Sequence, residues 1–385
     1  MVNVTTLVAF AFTVASVNAQ VALYGQCGGQ GYSQCLPGGS SGSTIKTTTT
    51  KAASTIKTTT TKVATTTVAP GTTTRRTTTT TVTTNSPNPT TNPSSGGSAA
   101  GVVGFATVGS GCSGGAGGSS VTVSSASALQ AALSGDTPRI VYLNAAISNA
   151  GNLTIGSNKS LIGVGTSASL DKSSLSVRYG TKNVIIRNIK FTLCTGGDND
   201  CITIKDPGTS NVWVDHCDFS GDMNANKDIY DGLIDVTREA TLITISYNKF
   251  HNHHKALLFG SSSSAKEDVA IKVTVHHNYF TNIGSRTPSI RFGTTHVYNN
   301  FYDDVESCIN VRDGSQNLIE RNVFRNINKD VRADGGYCNL VDNDLGGGSV
   351  DCATGSFSKP PYSYTTDSTA AVLSNLIGSV GVGKI

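Results

Sequence analysis

The stretch VTVHHNYF, residues 273–280, carries the pattern that predicts the fold. Apolar and polar residues alternate up to Asn278, and the stretch then ends in aromatic residues. Related stretches recur as NVIIRNIKF (183–191), NVWVDHCDF (211–219), LITISYNKF (242–250), HVYNNFY (296–302) and NLIERNVF (317–324). Their polar positions align as Asn188, His216, Asn248, Asn278, Asn300 and Asn322, and the last two intervals are 22 residues each.

Val/Ile-rich strands with a repeat in the low twenties are typical of stacked β coils. Each coil would lie roughly 4.8 Å above the last, so that equivalent side chains form ladders. Asn suits the bends, because its amide can bond along the stack and the residue tolerates left-handed backbone. We therefore predict an all-β fold, a right-handed parallel β-helix. The alternative, an antiparallel sandwich, would require a turn signal about every 8–12 residues.

The first three intervals in the series, 188 to 216, 216 to 248 and 248 to 278, are longer than 22 residues. Their extra residues should protrude from consecutive coils on the same region of the solenoid. Such insertions form a wall beside the coils, and so a groove. We expect the functional residues there.

Charge is distributed unevenly along the chain. Residues 1–100 hold 6 of the 29 basic residues and no Asp or Glu, so residues 101–385 hold 23 basic and 25 acidic residues. The formal net charge of +4 thus comes from the N-terminal tract. The folded part has no nucleic-acid-binding signature.

Residues 1–19 have an apolar middle and end in Val-Asn-Ala, which predicts a signal peptide and a secreted, extracellular protein. A membrane anchor is disfavoured by the short length of this segment. Nine cysteines fit an exported, disulfide-bonded protein, and we expect the pairs Cys194–Cys217 and Cys338–Cys352. Glycosylation sequons begin at Asn152 and Asn158.

Residues 20–36 contain YGQCGGQGYS and SQCL, which resemble the two ends of the small fungal cellulose-binding module. The middle of that module is missing, so we leave two interpretations open: retained cellulose binding, or a degenerate remnant. Residues 37–100 form a Thr/Ser-rich tract that cannot bury apolar surface and predicts a disordered, O-glycosylated linker. Residues 101–385 are the predicted β-helix domain. A short helix is expected between Ser125 and Gly135.

Four aspartates fall within the insertions. GGDNDC supplies Asp198 and Asp200, and YDGLIDV supplies Asp231 and Asp235. Solvated loop carboxylates are the ordinary explanation of such pairs. On adjacent coils, however, the four would repel one another unless a cation neutralised them. Oxygen ligands favour a hard ion, Ca²⁺ above Mg²⁺.

Three basic residues follow in the next coils. Lys255 lies 7 residues after Asn248, and Arg286 lies 8 after Asn278, which predicts that the two side chains are neighbours along the stack. Arg291 follows in the stretch NIGSRTPSIR, residues 282–291. An acidic floor bordered by a Lys/Arg cluster suits an acidic polymer that is held partly through a metal.

The blocks NVWVDHCDF, YDGLIDVTREATLITISYNKF, HHKALLFGSS and VTVHHNYFTNIGSRTPSIRFGTTHVYNNFY resemble polysaccharide lyase family 1, the pectate lyases. The resemblance implies the same β-helix. It also implies Ca²⁺-dependent cleavage of α-1,4-polygalacturonate by β-elimination.

By motif position, Asp198 and Asp200 resemble the paired aspartates near the calcium site of that family, and Asp231 and Asp235 its main calcium ligands. Among the basic residues, Lys255 resembles the lysine that contacts the substrate carboxylate. Arg286 resembles the arginine proposed as base, and Arg291 the arginine that binds or orients the uronate.

In β-elimination a proton leaves C5 next to the substrate carboxylate. A cation and Lys255 would neutralise that carboxylate and stabilise the developing charge. Arginine is a poor base in water, because its guanidinium stays protonated, and neighbouring cations disfavour the charged form. Our hypothesis is that Arg286 works as the base because Ca²⁺ and Lys255 are close, and that activity rises at alkaline pH.

Other prominent side chains are given structural roles. We expect His216 to be a satisfied structural histidine and Trp213 to be a core residue. In His253–His254 and His276–His277, strand alternation predicts that the members of each pair point to opposite faces. Three alternative functions share the fold: a pectin lyase, a polygalacturonase, or a non-catalytic wall-binding protein. A monomer is expected.

Overall fold

The computed structural model describes residues 101–385. The predicted signal peptide (1–19), cellulose-binding remnant (20–36) and linker (37–100) lie outside the described residues and stay predictions. Within residues 101–385 there are two α-helices, α1 (Ala126–Leu133) and α2 (Thr369–Leu376). Two short 3-10 helices span Phe105–Thr107 and Lys266–Ala270.

The rest of residues 101–385 is built mainly from 24 short strands. The first twelve are β1 Ser119–Val123, β2 Arg139–Leu143, β3 Ala146–Ile155, β4 Lys159–Gly163, β5 Ser169–Val177, β6 Lys182–Arg187, β7 Lys190–Thr192, β8 Ile202–Lys205, β9 Ser210–Asp215, β10 Asp218–Ser220, β11 Ile234–Thr237 and β12 Thr241–Ser246. The second twelve are β13 Lys249–Lys255, β14 Leu257–Phe259, β15 Lys272–His276, β16 Tyr279–Ser285, β17 Ser289–Arg291, β18 Thr294–Tyr298, β19 Phe301–Val305, β20 Ile309–Arg312, β21 Gln316–Glu320, β22 Val323–Ile327, β23 Val331–Asp334 and β24 Tyr337–Val341.

These strands stack as a parallel β-helix. One face is a ten-stranded sheet in the order β1-β2-β4-β6-β9-β12-β15-β18-β21-β24. The other two faces are the rows β7-β10-β13-β16-β19-β22 and β8-β11-β14-β17-β20-β23, which join at β5. Neighbours pair in parallel, as β12 with β15 and β17 with β20. The predicted β-helix is confirmed, and this pairing excludes the antiparallel sandwich.

Stacked side chains fill the interior. One column of aromatic rings runs through successive coils, with neighbouring centroids 4.6–5.0 Å apart, and consists of Phe191, Phe219, Phe250, Phe280, Tyr302 and Phe324. That separation matches the strand spacing, roughly 4.8 Å, because each coil adds one ring. The core thus contains a ladder of similar aromatic side chains, one for each coil.

The asparagine ladder is real, but the predicted alignment is wrong by one residue at its start. The amide oxygen of Asn278 accepts from the backbone N–H of Asn248, and that of Asn300, 22 residues on, accepts from Asn278. Cys217, not His216, occupies the equivalent position, since its N–H donates to the Asn248 side chain at 2.8 Å. Asn188 and His216 belong to the neighbouring column.

That neighbouring column is the one with left-handed backbone. It consists of Asn188, His216, Tyr247, His277, Asn299 and Arg321, all with φ between 49° and 60°. The residues of the Asn ladder do not have a positive φ. Of the two predicted reasons for asparagine, bonding along the stack is therefore confirmed and left-handed backbone is not. The amides of the ladder asparagines satisfy buried backbone groups of the preceding coil.

The insertions do not all protrude at one corner, which corrects the sequence prediction. Residues 193–201 connect β7 to β8, and residues 221–233 connect β10 to β11, so these two insertions share a corner. The third insertion, residues 260–271, connects β14 to β15 at a different corner. The first two alone can form a wall beside the β8-β11-β14-β17-β20-β23 face.

Helices close the exposed ends and edges of the stack. Helix α1 begins as predicted at Ser125, whose hydroxyl accepts from Ala128 N, and it buries Leu129 and Leu133. The sequence patterns missed α2, which packs Val372 and Leu376 against Phe301 and Val323. Within residues 101–385, neither helix has the length or the apolar run needed to cross a membrane.

One of the two predicted disulfides is wrong. Cys194 pairs with Cys201, and Cys338 pairs with Cys352 as expected. Cys217 is a buried free thiol, which points into the solenoid below the Asn ladder. The Cys194–Cys201 bond closes the loop that carries Asp198 and Asp200.

Candidate active site

A groove runs along the β8-β11-β14-β17-β20-β23 face. Part of it is a cavity of about 450 Å³ near the middle of the stack. One acidic residue, Glu306, lines this cavity together with six basic residues, which are Lys227, Lys255, Arg286, Arg312, Lys329 and Arg332. The basic residues Lys255 and Arg286 therefore line one groove, as the coil register predicted.

Next to the cavity, Asp200 and Asp235 converge on one small space. Each is buried, and Oδ1 of each has no hydrogen-bond partner among the described residues. A Cβ atom placed on Gly232 would lie 2.5 Å from Oδ1 of Asp235 and 2.7 Å from Oδ1 of Asp200. Because residue 232 is glycine, the two unpartnered oxygens are left free to face the same volume.

Burial and neighbouring carboxylates raise the pKa of both carboxyl groups. Burial, the charge of Asp231 and the charge of Asp198 raise the pKa of Asp200 to about 7. Burial and the charge of Asp200 raise the pKa of Asp235 well above its usual range. Burial next to other carboxylates therefore disfavours the charged form of both groups. A bound cation would remove that conflict, so the donor set fits a hard divalent ion.

The other two predicted ligands lie beside this pair. Asp231 Oδ1 contacts Lys255 Nζ, which also donates to Asp228 Oδ1 at 3.0 Å. Asp198 contacts Lys205 through Oδ2 and is largely exposed. Among residues 101–385, no three His, Cys, Asp or Glu side chains already form a closed metal-binding cluster. The predicted four-aspartate set is thus a close pair with two flanking carboxylates.

Arg286 lies at the junction between β16 and β17. Its backbone is left-handed, with φ 63°, and its carbonyl accepts from Leu257 N at 2.6 Å. This conformation turns the chain out of the β16 row and into the β17 row. The turn leaves the Arg286 side chain on the groove wall, near the position of Lys255 in the coil before it.

Arg291, five residues on, is held by protein groups. Its Nη1 donates to Gly260 O at 3.1 Å, and its Nε lies 3.2 Å from Asp313 Oδ2. Burial and the charge of Arg312 lower its pKa. Arg291 therefore ties the 260–271 insertion to the coil beside it, and it does not line the central cavity.

The histidines and the tryptophan have mostly the predicted roles. His216 stacks on Tyr247 and its Nδ1 lies 2.5 Å from Asp215 Oδ2, as expected of a structural histidine. Trp213 is buried, though in a small cluster outside the solenoid interior. His253 is buried while His254 Nε2 reaches Ala225 O, which agrees with strand alternation.

The prediction for His276 and His277 is wrong. Their Nδ1 atoms lie only 2.9 Å apart, so both rings are on the same side of the chain. His277 occupies the left-handed bend, which cancels the alternation that a regular strand would give. Both rings pack in an aromatic layer under residues 362–367 and not in the groove.

Comparison with known proteins adds an independent observation. A family model described as pectate lyase matches residues 89–385. The chain belongs to the pectate lyase family. It is accordingly a polysaccharide lyase, and its β-helix is the pectate lyase fold.

Several pectate lyases resemble the chain closely. The probable pectate lyase A of Aspergillus niger is 41% identical over 263 residues, which cover 67% of this chain and 80% of that protein. The pectate trisaccharide-lyase of Bacillus licheniformis is 38% identical over 298 residues, covering 73% and 86%. A crystal structure of a Bacillus pectate lyase in complex with trigalacturonate is similar with a TM-score of 0.68 and 31% identity, covering 74% of this chain and 99% of that one.

Some groove residues of this pectate lyase were not found from sequence. Gly232 was overlooked although it directly follows Asp231, and a glycine between two candidate ligands is itself a signal of close approach. Lys329 and Arg332 were overlooked because the stretch NINKDVR does not alternate. The 22-residue repeat could have located them, since it places Arg332 in register with Asn310.

Proposed function

We propose that this pectate lyase is secreted and cleaves polygalacturonate by Ca²⁺-dependent β-elimination. The observation that carries the proposal is the pair of unpartnered oxygens of Asp200 and Asp235, on the same groove as Lys255 and Arg286. Buried acidic groups that a cation would neutralise, next to basic groups on the groove wall, fit an anionic substrate. The trigalacturonate bound to the related Bacillus pectate lyase supports a polygalacturonate substrate.

Asp200 and Asp235 would hold the ion between them, with Asp231 and Asp198 completing the acidic surroundings. When bound, Ca²⁺ would neutralise the uronate carboxylate and so acidify the adjacent C5 proton. Lys255 would donate a hydrogen bond to the same carboxylate once it leaves Asp228 and Asp231. Both effects stabilise charge that develops only as the proton leaves, and that is the kind of interaction that raises kcat.

Arg286 is the proposed base. It would take the C5 proton while the bond from C4 to the glycosidic oxygen breaks. A C4–C5 double bond forms at the same time in the sugar at the new non-reducing end of one fragment. The departing oxygen takes up a proton and becomes the hydroxyl of the other fragment. Arg286 stands on a bend that fixes its backbone on the groove wall, so only its side chain has to be oriented when the substrate binds.

Arg291 is proposed to act one step away from the substrate. Its contacts with Gly260 and Asp313 fix the turn beside the groove. We therefore propose that Arg291 holds the 260–271 insertion in place and does not contact the uronate directly. The family resemblance implies an arginine that binds or orients the uronate, and these partners favour an indirect role through the loop.

One assay tests the function. Purified protein is mixed with polygalacturonate in the presence of Ca²⁺ or of a chelator, and ultraviolet absorbance of the unsaturated product is followed. Absorbance that requires Ca²⁺ supports the proposal. Reducing ends without absorbance would indicate a polygalacturonase, preference for methylated polymer a pectin lyase, and no product at all a wall-binding protein.

Secretion is tested separately, by N-terminal sequencing of protein recovered from culture medium. A mature N-terminus at Gln20 is expected. Binding to cellulose through residues 20–36 and a monomeric state are further proposals, to be checked by pull-down on microcrystalline cellulose and by sedimentation.

A further inference from the structure

The two glycosylation sequons of residues 101–385 differ in their surroundings. Asn152 is exposed on β3, whereas Asn158 is half-buried in the turn between β3 and β4. An N-linked glycan is bulky and hydrophilic, so it needs an asparagine whose side chain can stay in solvent in the folded protein. The contacts of each side chain therefore indicate which sequon the fold can accept as a modification site.

The side chain of Asn158 is enclosed by hydrogen bonds. Its Nδ2 donates to Asp136 O at 3.0 Å, and its Oδ1 accepts from Asn183 Nδ2 at 2.8 Å. Asn183 Oδ1 in turn accepts from the backbone N–H groups of Ser113 and Gly114, each at 2.7 Å. A sugar on Asn158 would have to displace part of this network, which ties the N-terminal segment to the coils. Asn158 is therefore a poor acceptor site.

Asn152 has the opposite surroundings. Its Oδ1 accepts from Ser176 Oγ at 2.8 Å. Its Nδ2, the atom that would carry a sugar, takes part in no hydrogen bond within the part of the chain that the structure describes. Thr154, the third residue of the sequon, is also exposed, while Leu153 between them points into the core. A glycan on Asn152 can thus extend into solvent without a change in the fold.

Asn152 stands at the N-terminal end of the groove floor. One outward-facing column runs in direct register through Thr154, Ser176, Thr203, Asp235, Leu258 and Ser289. Three coil spacings, roughly 14 Å, separate Thr154 from Asp235. The hydrogen bond from Ser176 brings the Asn152 amide beside this column. A sugar on Asn152 would therefore rise from the floor about three coils before the buried acidic pair.

The same asparagine borders the loop that carries Asp200. A Cβ atom placed on Gly197 would lie 3.1 Å from Asn152 Cγ. Ser174, in direct register with Asn152, accepts from Gly196 N at 3.0 Å and donates to Asp200 O at 2.5 Å. A polymer that crosses the cation site and continues towards the first coils would pass the two glycines and then meet Asn152.

We propose that Asn152 is the N-glycosylated asparagine of this protein, and that its glycan closes the N-terminal end of the groove. The glycan would limit how far an acidic polymer extends beyond the cation site, and it would do so by its bulk. The modification rests on the proposed secretion, and its effect on the groove rests on the proposed substrate class.

The modification is tested on the mature chain, residues 20–385, produced in yeast behind a yeast secretion signal. Peptide mass spectrometry is expected to find an N-glycan at Asn152 and none at Asn158. Asn152→Gln and Thr154→Ala should both lose the glycan, because each removes the sequon. The matched control Thr154→Ser keeps the sequon and should keep the glycan. An unmodified Asn152, or a glycan on Asn158, would overturn the assignment.

The effect on the groove is tested with a long and a short substrate in the presence of Ca²⁺. Loss of the glycan in Asn152→Gln should raise kcat/KM for polygalacturonate about threefold or more, because binding along the remote part of the groove is no longer obstructed. Trigalacturonate has at most two sugars on one side of the cleaved bond, so its kcat/KM should not change. Thr154→Ala should behave like Asn152→Gln, and Thr154→Ser like wild type.

The closing of the groove is overturned if both glycan-free variants keep the wild-type ratio of the two kcat/KM values. Damage to the fold would lower both values together and leave that ratio unchanged, and thermal melts check for it.

Failure of the proposed function would look different. If wild type forms no unsaturated product with Ca²⁺, the lyase function falls, and the mass measurement still decides the glycan. If product forms but Asn152 is unmodified, the function stands and the glycan falls.

Discussion

The groove has an acidic half and a basic half, and the two are stabilised in opposite ways. In the acidic half, Asp200 and Asp235 are buried with unpartnered oxygens, and burial together with neighbouring carboxylates raises the pKa of both. In the basic half, Arg312 and Lys329 stand on a more open wall without ion-pair partners among residues 101–385. A cation would stabilise the buried carboxylates, whereas an anion would stabilise the basic groups. Lys255 and Arg286 lie at the boundary between the two halves, where a reaction that needs both a cation and basic side chains can occur.

The largest expected effect is at this boundary. Arg286→Lys keeps the charge but loses the planar guanidinium and its reach. We expect kcat to fall about 100- to 10,000-fold, the range for loss of a positioned general base. The measurement is unsaturated product from polygalacturonate at saturating Ca²⁺ over a range of pH. Full activity with an unchanged pH profile would show that Arg286 only binds substrate.

The second largest loss of activity is expected when one charge is removed from the acidic half. Asp235→Asn keeps the shape but halves the charge of the buried pair, so activity at a fixed, limiting Ca²⁺ concentration should fall about 100-fold. Ca²⁺ should also no longer raise the Tm, because ligand binding stabilises only a state that binds it.

Asp198→Asn, in the same acidic surroundings, serves as the comparison for that variant. Asp198 is exposed and paired with Lys205, so its loss should cost less than about tenfold. Equal losses in Asp198→Asn and Asp235→Asn would mean that the buried pair is not the centre of the cation site.

A smaller change tests the space between the two carboxylates. In Gly232→Ala the new Cβ would lie within 2.7 Å of both oxygens, and the φ of Gly232 is not in the left-handed region, so the backbone accepts alanine. Ca²⁺ affinity should fall about tenfold, as for other disturbances around a metal site. Calcium titration of activity measures it, and a thermal melt in EGTA checks the fold. Unchanged affinity would place the ion elsewhere.

The smallest effect on activity is expected at Arg291. Arg291→Gln removes the ion-pair partner of Asp313, which keeps the hydrogen bond from Ser263 Oγ, and the donor to Gly260 O; this should lower the free energy of unfolding by about 1–3 kcal/mol. Chemical denaturation measures that loss, and kcat/KM should fall less than tenfold. A hundredfold loss of kcat/KM at unchanged stability would show that Arg291 contacts the substrate directly.

The sequence predicted most of the fold because a repeat specifies its own neighbours. A residue that recurs every 22 positions must stack on its equivalent, so the strands, the aromatic column and the Asn278–Asn300–Asn322 ladder could be read in advance. Errors arose where the backbone leaves the strand conformation. At His277 a left-handed bend cancelled alternation, and at Asn188 and His216 the alignment slipped by one residue.

The candidate site was predicted as a set of residues rather than as an arrangement. Asp200, Asp235, Lys255 and Arg286 do meet on one groove, but the four aspartates do not form one cluster. Asp198 turns to Lys205, and Asp231 turns to Lys255. Periodicity cannot predict this, because ion pairs depend on side-chain rotamers and on which charges are nearest.

The sequence by itself determined the β-helix, the family and the residue types of the groove, since these follow from a repeat and from motifs that are local in the chain. Only the tertiary structure decided which groups share an environment. It placed Gly232 between two buried oxygens, replaced the expected Cys194–Cys217 bond by Cys194–Cys201, and carried Lys329 to the wall that holds Arg286. The physical reason is that burial and electrostatic interaction depend on distance in space, which the order of residues does not contain.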